Sequence, residues 1–191
     1  ELYNMNNDLV GWLSIEDTNI DYHLMQCKED EKYYLDRDFQ KNYSANGSLI
    51  LDNDSDIGTG TKINNYNDGT LPSTNLIIHG HNMKNGAMLA NIKKFADHDY
   101  FINHPEVYIY LPDGSINVYS VYSTKIIDAT SDYYLKDIDY ASYVANAKSS
   151  AKQSRDVDTQ NGAPLLLLST CYAPDTTTRS VLFARLEKNV K

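Results

Sequence analysis

The sequence predicts a mainly β protein, a closed barrel of about eight strands with an N-terminal helix and a few peripheral helices. Two observations lead there. Short segments rich in aromatic and β-branched residues recur along the 191-residue chain, bounded by Asp, Asn and Gly, which is how short strands read. Only three segments keep a helical period instead. Strands in such number are best closed on one another, because closure removes the unpaired backbone groups of exposed edges.

Taken in order, Leu2, Met5 and Leu9 fall on one helical face before Gly11, so the chain is expected to open with a short helix. Strands are expected at Trp12 to Ile15, Ile20 to Met25, Tyr33 to Phe39 and Gly47 to Asp52, together a β meander. From Asn53 to Ser73 the composition shifts to Asn, Asp, Gly, Thr and Ser, which marks a long polar surface loop rather than a domain boundary. Asn75 to His79 reads as a buried strand, and Met88, Leu89, Ile92 and Phe95 space themselves for one face of a helix. Val107 to Leu111 and Ile116 to Ile127 flank the turn Pro112-Asp113-Gly114, a hairpin. Tyr140, Tyr143, Val144, Ala147 and Ala151 form the third helical stripe, followed by a polar stretch to Gly162. Leu165 to Thr170 is an apolar strand ending at Cys171, and Ser180 to Glu187 is the last strand. The length suits one domain over residues 1–191.

Hydrophobic residues at 41% and charged residues at 23% are ordinary for a folded soluble protein. The net charge of −9 gives an anionic surface, which repels phosphate backbones and so argues against nucleic acid as a partner. Sixteen tyrosines against four phenylalanines suggest many rings with one wet edge. No apolar run approaches the roughly 18 to 20 residues of a membrane-spanning helix. The chain begins at Glu1 without an initiator Met or a basic-then-apolar leader, and reads as a processed or trimmed fragment. Cys27 and Cys171 are expected to be free thiols, since a core of this size needs no disulfide.

The chemistry concentrates at Ser169-Thr170-Cys171. A cysteine at the end of a buried strand, just before a Pro-containing loop, is rigidly held yet can present its sulfur at the barrel rim. Taken alone it reads first as a buried structural thiol. Arg179 follows at the start of the next strand, where its fork could lower the thiol pKa and bind a developing oxyanion. Of the five histidines, His81 is the best-placed base, because it follows Gly80 at the end of an apolar strand. His79 reads as supporting or structural, and His98 and His104 as solvated loop residues. His79-Gly80-His81 lacks a third ligand at a recurring spacing, so no metal is expected there. Asp52, Asp54 and Asp56 mimic the start of a calcium loop, but Gly58 comes one place late and Ile63 stands where the bidentate carboxylate belongs, which excludes an EF-hand.

At this point the residues resemble a family. Gly11-Trp12-Leu13 with Ile20-Asp21-Tyr22 and Gln26, then Tyr33-Tyr34-Leu35 with Asp38-Phe39, then Gly47-Ser48 and Asp52, resemble the N-terminal half of class B sortases. Asn75 to Met83 resembles their histidine motif, and Ser169-Thr170-Cys171 with Arg179 their Thr-Cys and arginine motif. The helix around Tyr140 to Ala151 resembles the insertion that separates class B from the smaller class A. His23 stands where the family usually has Pro, Cys27 occupies a variable site, and the 53–73 loop is longer than usual.

The resemblance implies a cysteine transpeptidase that uses no cofactor. Cys171 would be the nucleophile, His81 the acid/base and Arg179 the oxyanion clamp, with Ser169, Thr170 and Asn82 supporting the site or touching substrate. Its partners would be surface proteins ending in an NPxT- or PxTG-like sorting signal and an amine of cell-wall peptidoglycan. The enzyme would be a monomer at the extracellular face of a Gram-positive membrane, anchored by an N-terminal helix outside this sequence. Two alternatives remain open from the residues alone: a hydrolytic cysteine peptidase on a similar barrel, and a non-catalytic surface binding module.

Overall fold

The computed structural model describes residues 2–59, 71–158, 162–173 and 177–191. Among the described residues nine strands follow in the order β1 (Leu9–Ser14), β2 (Asp21–Met25), β3 (Leu49–Leu51), β4 (Asn75–His79), β5 (Glu106–Tyr110), β6 (Ile116–Asp128), β7 (Gln153–Ser154), β8 (Leu165–Cys171) and β9 (Thr178–Val190). Their spatial order is β5-β1-β2-β3-β4-β8-β9-β6, and β5 pairs back onto β6, so eight strands close a barrel while β7 adds to β6 outside it. The pairs β2–β3 and β4–β8 are parallel.

The uniformly apolar run of β8 is explained by its position. Leu166 and Leu168 point into the barrel interior, where residues from all eight closing strands meet, including Leu13, Ile109 and Leu182. Leu165 and Leu167 point outward against Tyr143, Val144 and Ala147 of helix α3 (Tyr140–Lys148). A strand covered on both faces loses the alternation of a half-wet one, and burying each Leu contributes roughly 1.5–3 kcal/mol. Asp139 starts α3 by accepting a hydrogen bond from the Ser142 amide at 2.9 Å.

Several expectations are corrected. The opening helix α1 is only Leu2–Met5, and Leu9 belongs to β1. Tyr33 to Phe39 is not a strand: Tyr33–Leu35 is a 3-10 helix and the rest is irregular. The reason is Tyr34, whose buried hydroxyl accepts from Asn6 Nδ2 at 2.9 Å and donates to Asp8 Oδ2 at 2.7 Å. Those bonds tie the segment to the N-terminal stretch. Met88, Leu89, Ile92 and Phe95 are all buried as expected, but the helix is of 3-10 type and spans Ala90–Ala96. Helix α2 (His98–Asn103) was unexpected, although Asp97 caps it by accepting from the Tyr100 amide. The short 3-10 helix Asp132–Tyr134 and strand β7 were also unexpected.

In the 53–73 loop, residues 60–70, with Ile63 among them, lie outside the described residues. Asp52 and Asp56 serve local turns there, accepting from the amides of Asp54 and Gly58. Among the described residues no helix is long and apolar enough to cross a membrane.

Candidate active site

Strand geometry alone brings two of the expected residues together. Cys171 and Arg179 are register partners on the antiparallel pair β8–β9. On β8, Leu165 and Leu167 face outward, so period-2 alternation puts Ser169 and Cys171 on that same face. On β9, Arg179 shares its face with the outward Val181 and Phe183.

His81 arrives from β4, which runs parallel to β8 with His79 opposite Ser169. Gly80 then leaves the strand while still held by it, donating its amide to the Ser169 carbonyl at 3.1 Å and accepting from Thr170 Oγ1 at 2.7 Å. Glycine leaves room here for two leucines, since a Cβ would lie 2.6 Å from Leu49 Cδ2 and 2.7 Å from Leu89 Cγ and force them to shift. The next residue is pinned too: the His81 carbonyl accepts from the Leu89 amide at 3.1 Å. The His81 ring meets the Leu35 carbonyl through Nε2 at 2.7 Å. A carbonyl only accepts, so Nε2 carries a hydrogen and Nδ1 is left for proton exchange.

The three side chains line one cavity of about 230 Å³. Its remaining wall includes Leu35, Ile50, His79, Gly80, Ser169 and Thr170. Cys171 is half-buried there, and both Cys27 and Cys171 are free thiols. Asn82 donates from Nδ2 to the Cys171 carbonyl at 2.8 Å and to that of Tyr172 at 3.4 Å, tying the end of β8 to the segment after Gly80. Thr170 reaches Gly80, and Ser169 Oγ lies 2.8 Å from the Tyr134 hydroxyl. The three supporting residues named from the sequence therefore brace this corner of the barrel.

The other histidines go elsewhere. His79 and His81 engage different partners and do not form a chelate: His79 Nε2 lies 3.4 Å from Asp52 Oδ2. That hydrogen bond holds the Asp52 carboxyl below its usual pKa. His23 stacks on Phe39 with centroids 4.5 Å apart, and burial lowers its pKa. His98 faces Gln153, and His104 stacks on Tyr100, so His104 is packed rather than freely solvated.

Sequence reasoning missed Tyr134 and the Asp52–His79 pair as parts of this corner. Tyr134 also stacks on His79, with centroids 5.8 Å apart and planes at 22°, and burial raises its pKa. No periodicity marks a tyrosine on a three-residue helix. Period-2 alternation along β4 puts His79 on the outward face with Ile77, and that alternation was the available signal.

A mixed eight-stranded barrel that ends a doubly buried strand in a thiol, next to an arginine and beside a histidine, is the arrangement of the sortase fold. The chain belongs to the sortase family, whose sortase domain matches residues 13–187. It is 31% identical over 180 residues to sortase B of Listeria monocytogenes, covering 90% of this chain and 65% of that protein. The chain thus spans just under two thirds of that relative's length. It is 25% identical to sortase B of Staphylococcus aureus, covering 98% of this chain and 73% of that protein. The X-ray structure of Clostridium perfringens sortase B superposes with a TM-score of 0.82 at 27% identity, covering 98% of each chain. These relatives agree with class B.

Proposed function

We propose that the chain is a class B sortase acting as a cysteine transpeptidase, with Cys171 as nucleophile, His81 as acid/base and Arg179 as oxyanion clamp. One observation carries the reading: those three side chains line a single small cavity at the end of β8.

In the first half-reaction the Cys171 thiolate attacks the carbonyl carbon of the Thr in a C-terminal sorting signal. The carbonyl electron pair moves to oxygen, and the Arg179 guanidinium offsets that developing charge. Collapse breaks the C–N bond, His81 gives its proton to the departing amine, and a thioester to Cys171 remains. In the second half an amine of cell-wall peptide attacks the thioester carbonyl, His81 takes the amine proton, and the thiolate leaves. Thr170 and Asn82 support this scheme by bracing the backbone carbonyls of Gly80 and Cys171.

The substrates in this reading are surface proteins with an NPxT- or PxTG-like signal, and the acceptor is a peptidoglycan amine. The enzyme works as a monomer on the outer face of a Gram-positive membrane. It is a single catalytic domain, held there by a segment outside this sequence.

The test is product analysis with a fluorogenic library of Pro-x-Thr-x peptides, with and without an amine acceptor. Peptide joined to the acceptor supports the transpeptidase. Free acid alone in the presence of acceptor favours a hydrolytic peptidase, and no turnover favours a surface binding module.

A further inference from the structure

The corner beside Cys171 contains a polar chain that the mechanism above does not use. Asp52 follows β3 directly and is fixed through its backbone. Its amide donates to the Ile77 carbonyl at 3.0 Å, and its carbonyl accepts from Gln26 Nε2 at 2.8 Å. One carboxylate oxygen, Oδ1, accepts from the Asp54 amide at 3.0 Å. The other, Oδ2, faces His79 Nε2 at 3.4 Å. A carboxylate accepts, so this contact sets the hydrogen on Nε2 and fixes the ring's plane, as a carboxylate behind an imidazole generally does.

The fixed ring then acts on Tyr134. The two rings are stacked within 22° of parallel, and the Tyr134 hydroxyl lies 2.8 Å from Ser169 Oγ. Tyr134 ends a three-residue helix between β6 and α3, and no strand pairing holds it. Its ring is therefore tethered by Ser169 on one side and by His79 on the other. Ser169 precedes Cys171 by two residues on the same face of β8, and Ser169, His79 and Cys171 line the same cavity.

The pair is not needed to complete the core. Neither Asp52 nor His79 belongs to the barrel interior or to the cluster under α3, and their side chains remain 22% and 35% exposed. An apolar residue at 79 would extend the outward row begun by Ile77 without desolvating a carboxylate. What the polar pair adds is a defined ring position at the cavity wall.

We propose that His79 is a positioning residue: aligned by Asp52, it forms one wall of the Cys171 cavity and steadies Tyr134, which lies behind that wall and holds the Ser169 hydroxyl that lines it. This rests on the reading of Cys171 as nucleophile. The residue acts on binding through Tyr134 and does not exchange a proton with substrate.

The experiment measures kcat and KM separately, using the best-cleaved peptide of the Pro-x-Thr-x library, with urea midpoints to confirm folding. His79→Ala and Asp52→Ala each raise KM about tenfold, the effect of losing a hydrogen bond to a charged group. They lower kcat by less than about threefold, the signature of lost uniform binding. Asp52→Asn still offers an oxygen to Nε2–H and restores most of the affinity. The double variant is no worse than the poorer single, because both act through one contact. The rate of Cys171 alkylation by iodoacetamide stays that of wild type. An unchanged KM in folded His79→Ala overturns the proposal, as does an Asp52→Asn as poor as Asp52→Ala, or a loss confined to kcat and the urea midpoint. A wild type that turns over no peptide overturns the nucleophile reading itself, and the clamp with it, an outcome distinct from active wild type with indifferent variants.

Discussion

Cys171 and Arg179 stand directly opposite each other where β8 and β9 pair, with their side chains on the outward face of the barrel. The relationship is set by backbone register rather than by a flexible loop. Both residues line one cavity, and the Arg179 guanidinium donates from Nη1 to the Thr178 carbonyl at 3.1 Å. Sites built on strands hold geometry better than sites on loops.

Arg179→Ala is expected to lower kcat/KM by about 10² to 10³, the usual loss for one oxyanion donor. Arg179→Lys keeps the charge but not the planar fork and recovers only part of the rate. Steady-state kinetics on the two variants check this, and activity within a few-fold of wild type for Arg179→Ala would remove the arginine from the mechanism.

Gly80→Ala forces a methyl to within 2.6 Å of Leu49 Cδ2. Overpacking of this kind costs about 1–3 kcal/mol, read as a lower urea midpoint at unchanged slope. His81 follows directly, so activity is expected to fall further than stability does. A variant with the wild-type midpoint would show that the corner can yield.

Asn82→Ala removes the donor that holds the Cys171 carbonyl at 2.8 Å. The loss in stability is expected to be about 0.5–1.5 kcal/mol, with a larger proportional drop in kcat/KM as the end of β8 loosens. Equal wild-type and variant values in both assays would mean that β8 is held without it.

Asp52 gives a pH test of stability. The hydrogen bond from His79 depresses its folded pKa, so it binds protons less readily folded than unfolded. Its contribution is then fully present above the unfolded value of about 3.9 and is lost as pH falls through the lower folded value. Chemical denaturation from pH 6 down to pH 3 should show wild type more stable than Asp52→Asn at the upper end. The gap should narrow only below about pH 4. A gap independent of pH would contradict the assigned shift.

Much of this was legible because the barrel imposes simple periods. β8 read as a doubly buried strand from its leucines, the turn at Pro112 to Gly114 announced the β5–β6 hairpin, and the stripe Tyr143, Val144, Ala147 announced α3. Tyr33 to Phe39 misled because its aromatic residues look strand-forming, while the segment's shape is decided by the distant partners Asn6 and Asp8. Cys171, His81 and Arg179 were singled out by their positions at strand ends, and the structure brings all three to one cavity. Tyr134 was not, since its place depends on a three-residue helix folding back onto His79 and Ser169, a contact with no local pattern.

The central claim is that Cys171 carries the acyl group, and intact-protein mass spectrometry reads it directly. Wild type, Cys27→Ala and Cys171→Ala are each incubated with the Pro-x-Thr-x library without an amine acceptor, then quenched in acid. The account predicts an added mass equal to the acyl fragment on wild type and on Cys27→Ala, and none on Cys171→Ala. An adduct that persists in Cys171→Ala, or disappears in Cys27→Ala, would contradict it.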